Sequence, residues 1–154
     1  MEDLLTIIQR QRDAMSEPLT ANKRRAVLKA LWESVCSHEV SLIQALSTDL
    51  GKPREEVHLQ EIYPLKAEIK HASRHLRGWM APRPSSTPLA MFGTASYVQP
   101  EPKGHLLIIS PWNFPVILTL RPLVSAIAAG NRVCLLYTSP SPRDLSTSRM
   151  PSSA

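Results

Sequence analysis

The side chains best suited to chemistry fall in one short stretch, Ser110-Pro111-Trp112-Asn113-Phe114-Pro115, which follows the apolar run His105 to Ser110 (HLLIIS). A Trp-Asn pair between two prolines sits in a turn whose φ angles are partly preset, so the asparagine side chain has a fixed direction. Its NH2 can donate to an oxygen that gains negative charge during a reaction. If the apolar run is a strand of a parallel sheet, the turn lies at that strand's carboxyl end, where open α/β sheets place ligand sites. Asparagine by itself is commonly only a turn residue. Its company makes Asn113 a candidate donor, with Ser110, Pro111 and Trp112 as candidate walls of a ligand site.

Other reactive side chains carry less. Cys36 and Cys134 are far apart and lack metal-ligand spacing. Cys36 shares a helical segment with Leu31 and Val35 and reads as a small buried hydrophobe; Cys134 occupies the place of a buried strand residue. His71 and His75 are four residues apart, but the zinc-protease pattern needs Glu after the first histidine, and Ala72 stands there. A structural or solvent-facing role is expected for both, and no metal site. Gly104 is a lone turn glycine, and no phosphate-cradling glycine motif is present.

The elements that must position the turn follow from periodicity. Leu4, Leu5, Ile8 and Met15 predict a short helix over Asp3 to Met15. Thr20 is a candidate N-cap for a second helix to about His38, with Val27, Leu28, Leu31 and Val35 opposite Lys23, Arg24 and Lys29. A third begins near Glu39 and stops at Gly51-Lys52-Pro53. Ile62, Leu65, Ile69, Ala72, Leu76 and Trp79 predict a long helix from Arg54 to Met80, kinked at Pro64. Pro82, Pro84 and Pro88 mark a linker. Beyond it come a short edge strand over Ser96 to Glu101, a turn at Lys103-Gly104, and His105 to Ser110 as a strand buried on both faces. A helix from Pro115 to Ala129, ended by Gly130-Asn131, and a strand from Arg132 to Leu136 complete a βαβ unit, which implies a parallel sheet.

Composition removes whole classes of partner. The 154 residues carry a net charge of +5, but only Lys23-Arg24-Arg25 is a basic run. Elsewhere acids interleave, as in Lys52, Arg54, Glu55, Glu56 and Lys66, Glu68, Lys70, which reads as solvated helix faces rather than a phosphate-tracking stripe. No nucleic-acid partner is expected. Leu106 to Ile109 and Leu123 to Ala129 are too short to span a membrane, and peripheral membrane association stays open. Two separated cysteines and no secretory apolar segment after Met1 point to a reduced, cytoplasmic chain.

Taken together, Pro111-Trp112-Asn113-Phe114-Pro115, Pro122-Leu123, Ala126-Ile127-Ala128-Ala129-Gly130-Asn131 and Glu101-Pro102-Lys103-Gly104 resemble the aldehyde dehydrogenase superfamily. Ala45-Leu46, Asp49-Leu50-Gly51-Lys52, Glu61-Ile62 and Trp79-Met80 are similar to the helical arm of its short-N-terminus branch, which oxidises fatty, aromatic and other hydrophobic aldehydes. The resemblance covers residues 3 to 133. It implies an α/β fold: a helical arm (1–81), a linker (82–94) and the first, incomplete βαβ of a Rossmann-like NAD(P)-binding domain (95–136). It also implies a small-molecule aldehyde as substrate and NAD or NADP as hydride acceptor. Asn113 matches the asparagine that stabilises the oxyanion formed when the family's cysteine attacks the aldehyde. Ser110, Pro111 and Trp112 match the loop lining the nicotinamide side of the cofactor site.

The same resemblance marks what is missing. In the family the second strand runs into Lys-Pro-Ser, whose lysine contacts the adenine ribose; here it reads Cys134-Leu135-Leu136-Tyr137-Thr138-Ser139-Pro140, with no lysine after Arg132. The dinucleotide glycine turn, the general-base glutamate and the nucleophilic cysteine have no counterpart, so the expectation is a fragment inactive alone. Residues 134–154 resemble translated adaptor or vector sequence, which points to a chimera joined near Val133. Residues 137–154, with six Ser, three Pro and two Thr, are expected to be disordered. The competing reading is a non-catalytic protein of the same ancestry that uses its arm to dimerise or to bind a relative. Because the family's oligomerising strands come near its carboxyl end, a homo-oligomer is an open alternative.

Overall fold

The structure, a computed structural model, describes residues 4–13 and 19–137. Helix α1 (Leu4–Asp13) stands first, and the rest of the segment expected for it lies outside the described residues. Helix α2 (Ala21–Ser37) begins as its sequence predicts: Thr20 Oγ1 accepts from Lys23 N at 3.3 Å. Helix α3 (Glu39–Leu50) follows at once and ends at Gly51, whose φ of 66° is left-handed and costs a glycine no Cβ clash.

The helix expected from Arg54 to Met80 is divided into α4 (Arg54–Val57), a π turn (His58–Ile62) and α5 (Tyr63–Met80). Pro64 accounts for the break. It has no N–H to offer the Gln60 carbonyl, and its ring crowds that group, so the preceding turn widens and Tyr63 N bonds His58 O. The extra residue shifts the helix phase, and both Glu61 and Ile62 are buried.

Arg83–Ser85 (β1) pairs antiparallel with Ser96–Val98 (β2), so a strand lies inside the proline-rich stretch expected as a linker. Pro84 is tolerated there because the two-stranded ribbon leaves one side of β1 without a ladder partner. His105–Ser110 (β3) and Arg132–Tyr137 (β4) form a parallel pair, from His105 opposite Arg132 to Ser110 opposite Tyr137. Helix α6 (Ile117–Ala128) makes the crossover. The fold class is therefore α/β, a helical arm followed by one βαβ unit.

Leu28 and Val35 of α2, Leu65, Ile69, Ala72 and Leu76 of α5, and Ile117, Val124 and Ala128 of α6 make one cluster. A second joins Leu46, Val57, Ile62 and Val116. Both unite the arm with α6, so the crossover helix rests on the arm as well as on the sheet.

Several expectations need correction. β3 is covered on one face only: Leu107 and Ile109 are 59% and 60% exposed, because among the described residues α6 alone crosses this two-stranded sheet. Val27 and Trp79 are also partly exposed. Cys36 is exposed, one residue past Val35 and so turned away from the Leu28–Val35 face. Arg24 and Lys52, expected in solvent, are buried. Arg24 precedes Leu28 by four residues and therefore shares its face. Residues 134–137 continue β4, so Tyr137 is a strand residue; the disorder expected beyond it falls on 138–154, outside the described residues.

Candidate active site

The first turn of α6 begins with amides that have no partner inside the helix, and such donors are usually met by a nearby Ser, Thr, Asp or Asn. Here no side chain beside the helix start caps it. The acceptor comes from the arm: Glu61 Oε2 receives Val116 N at 2.8 Å and Ile117 N at 3.3 Å. The carboxylate's other oxygen receives Lys52 Nζ at 2.6 Å. Lys52 Nζ also lies 3.7 Å from the centre of the Phe114 ring, a cation–π contact. Glu61 is fully buried and Lys52 nearly so. Both carboxylate oxygens are engaged, so Glu61 is not a free general base, and the two α6 amides it takes are not free for a phosphate.

Between this anchor and β3 lies the turn picked out in the sequence. Ser110 closes β3 beside Tyr137. Its hydroxyl is buried and has no hydrogen-bond partner, alone in this among the described residues. Pro111 and Asn113 are exposed, and Trp112 is 40% exposed. Asn113 makes no side-chain hydrogen bond, so its NH2 is available to an incoming oxygen. The turn re-enters regular structure through Leu118 N to Phe114 O at 3.0 Å and Thr119 Oγ1 to Pro115 O at 2.5 Å. The four expected site residues thus form one continuous arc at the carboxyl end of β3. Sequence reading missed Lys52 and Glu61 as its supports, although both stand in the motifs that carried the resemblance.

The far end of α6 is held in a matching way. Arg24 donates from Nε to Leu19 O at 2.8 Å and from Nη1 to Ala128 O at 2.9 Å, placing a cation at the negative end of the helix dipole. Burial lowers its pKa below the usual arginine value. Gly130 turns the chain at φ 86°, and Asn131 Oδ1 accepts from Gly104 N at 2.9 Å, tying the starts of β3 and β4 together. A cavity lined by Leu19, Arg24, Met80, Pro100, Glu101 and Arg132 opens here. It lies at the amino ends of the strands, opposite the edge at which parallel sheets bind ligands.

Neither cysteine serves the turn as a nucleophile. Cys36 is exposed on α2, and Cys134 pairs with Leu107 in the middle of the sheet. His71, His75 and Trp79 form a ladder of rings along α5, with centroids 4.2 Å apart for the histidine pair and 5.9 Å for His75 and Trp79. Among the described residues no group of three or more His, Cys, Asp or Glu is placed to hold a metal. No helix among them is long and apolar enough to cross a membrane.

Comparison with known proteins bears on the whole arrangement. Residues 2–144 match the aldehyde dehydrogenase family, a span that passes Val133, where the sequence reading set its break. The chain is 43% identical over 108 residues to 4,4'-diaponeurosporen-aldehyde dehydrogenase of Staphylococcus aureus, which covers 70% of this chain and 24% of that protein. It is 42% identical over 130 residues to aldehyde dehydrogenase family 3 member B1 of Mus musculus, covering 83% of this chain and 28% of that one. The substrate-bound structure of Staphylococcus aureus AldH has the same fold over 88% of this chain and 30% of its own, with a TM-score of 0.80 at 36% identity. The chain thus spans about a quarter of the length of the curated relatives it matches. With a family match over most of its length and this fold around the turn, the chain belongs to the aldehyde dehydrogenase family.

Proposed function

We propose that this chain is the amino-terminal part of an enzyme that oxidises a hydrophobic aldehyde to the carboxylic acid with NAD or NADP, and that it does not turn over alone. One observation carries the reading: Asn113 holds an exposed, unpartnered amide in an anchored turn at the carboxyl end of β3. Such a group donates from Nδ2 to the carbonyl oxygen of an aldehyde and holds it more strongly as that oxygen becomes an alkoxide. One preorganised donor of this kind is worth about 3 kcal/mol of barrier. The proton count does not change at Asn113; it only stabilises charge.

Bound at this edge, the nicotinamide would supply a hydride acceptor. The chain's own contribution fits one side of such a group. The orphaned Ser110 hydroxyl can meet a polar atom arriving at the strand end, and Pro111 and Trp112 wall the same edge. The start of α6 offers no phosphate site beside them among the described residues, because Glu61 occupies the Val116 and Ile117 amides. The attacking thiolate must also come from outside the described residues, since neither Cys36 nor Cys134 lies in the turn. We place the chain in the reducing cytosol on its two unpaired cysteines.

The test is a graft. Residues 4–137 replace the matching segment of the Staphylococcus aureus relative, and reduced nicotinamide is followed with long-chain and aromatic aldehydes. The graft should turn over, and the chain alone should give no signal above the blank. Turnover by the chain alone, or a folded graft with no activity, contradicts the proposal.

A further inference from the structure

We infer that Glu61, held by Lys52, is the positioning residue for Asn113: the arm, through this buried pair, sets the aim of the turn that carries the oxyanion donor. The inference rests on the reading of Asn113 as that donor. Glu61 is fully buried with both oxygens engaged, so it has none to offer a substrate. It acts through residues 114–117, which follow Asn113 directly.

The geometry favours positioning over simple stabilisation. A buried ion pair is a poor source of stability, because desolvation offsets most of the attraction and a hydrophobic pair often does as well. What the carboxylate adds is direction. It takes two adjacent amides of the α6 start and one ammonium, at 2.8, 3.3 and 2.6 Å. The same ammonium lies 3.7 Å from the centre of the Phe114 ring. The last residue before Phe114 is Asn113 itself. On the other side Ser110 is fixed by β4. Only Pro111, Trp112 and Asn113 lie between the two anchors, and the proline's φ is preset.

The sequence distance matters too. Glu61 lies 55 residues before Val116, and it reaches inward through the π turn that Pro64 imposes. An ordinary N-cap would fix only the helix to its own preceding residue. A cap from the arm instead ties the turn to α3–α5, so a shift of the arm changes where Asn113 points.

The experiment uses the full chain, isotopically labelled, as wild type and as Glu61→Gln, Lys52→Met, Lys52→Arg and the Glu61→Gln/Lys52→Met double variant. NMR reads three sites: backbone order at Trp112 and Asn113 together with the Asn113 side-chain amide, exchange protection at Val116 and Ile117, and the buried Asn131 side-chain amide as an internal control of folding. Glu61→Gln is expected to drop Asn113 order from about 0.85 to below about 0.6 while Asn131 is unchanged. Exchange at Val116 and Ile117 should rise at least about tenfold. The double variant removes both charges and should recover stability without recovering Asn113 order, an outcome a merely structural pair does not give. If Glu61→Gln loses the Asn131 signals, the lysine variants decide: loosening of Asn113 by Lys52→Met and its rescue by Lys52→Arg support the inference. Wild-type order at Asn113 in a folded Glu61→Gln or Lys52→Met variant overturns it, as does an Asn113 already disordered in the wild type. None of these readouts involves turnover, so they stand apart from failure of the oxyanion role, which only the graft can reveal.

Discussion

Replacing Arg24 with methionine should lower the folding stability of the chain by about 3 kcal/mol. Arg24 is 5% exposed and donates to Leu19 O at 2.8 Å and Ala128 O at 2.9 Å. Charge-assisted hydrogen bonds contribute about 1.5–3 kcal/mol each, so the two together stabilise by about 3–6 kcal/mol. Burial works against them, and its sign is visible in the lowered arginine pKa. Methionine keeps the apolar stem but leaves two carbonyls without donors, and the cavities bordering Leu19 and Ala128 let water reach them in part. The net loss, about 2–4 kcal/mol, is a factor of roughly 30–900 in the folding equilibrium. Urea unfolding of wild type and variant, followed by tryptophan fluorescence, measures it directly. A loss below about 0.5 kcal/mol with an unchanged slope would mean that Arg24 does not anchor α6, and the reasoning about how the crossover helix is held would be wrong.

Gly130→Ala should cost about 1–3 kcal/mol, because the residue sits at φ 86° and an added Cβ would run into the Arg24 guanidinium; combining it with Arg24→Met should recover the collision but not the backbone strain, as a double-mutant cycle in urea would reveal. Leu65→Ala removes a fully buried side chain between α5 and its neighbours and should cost about 2–5 kcal/mol; a melting temperature unchanged in calorimetry would contradict the core described. The open face of the two-stranded sheet, with Leu107 and Ile109 59% and 60% exposed, should drive self-association. Leu107→Lys/Ile109→Lys should reduce light scattering at matched concentration with little change in stability, and unchanged scattering would place the sticky surface elsewhere.

Much of this fold is written in local signals. Thr20, Gly51 and Gly130 announce helix ends because capping and left-handed glycine are properties of a few adjacent residues. The βαβ unit and the Ser110–Pro115 turn are legible for the same reason, since apolar runs and paired prolines are contiguous. The Lys52–Glu61 pair is not, because it forms across the Gly51-Lys52-Pro53 break and depends on the phase shift of the π turn. A charged residue next to Gly and Pro reads as surface until its partner is known. Arg24 is different: its spacing to Leu28 places it on the apolar face, but residue type outweighed position in that reading. β1 hid in a proline-rich stretch, which an edge strand tolerates and a central one does not. The exposure of Leu107 and Ile109 is the least legible of all, since HLLIIS fits a strand covered on two faces, and what covers a strand is decided by elements distant in sequence.

The most direct measurement of the central claim is the steady-state kinetics of the graft carrying Asn113 against the same graft carrying Asn113→Ala. If Asn113 is the oxyanion donor, kcat falls about 10²–10³-fold while KM changes little, because the amide holds the developing alkoxide far more tightly than the ground-state carbonyl. An unchanged kcat, or a loss confined to KM, would show that Asn113 is a turn residue and that the charge is stabilised elsewhere.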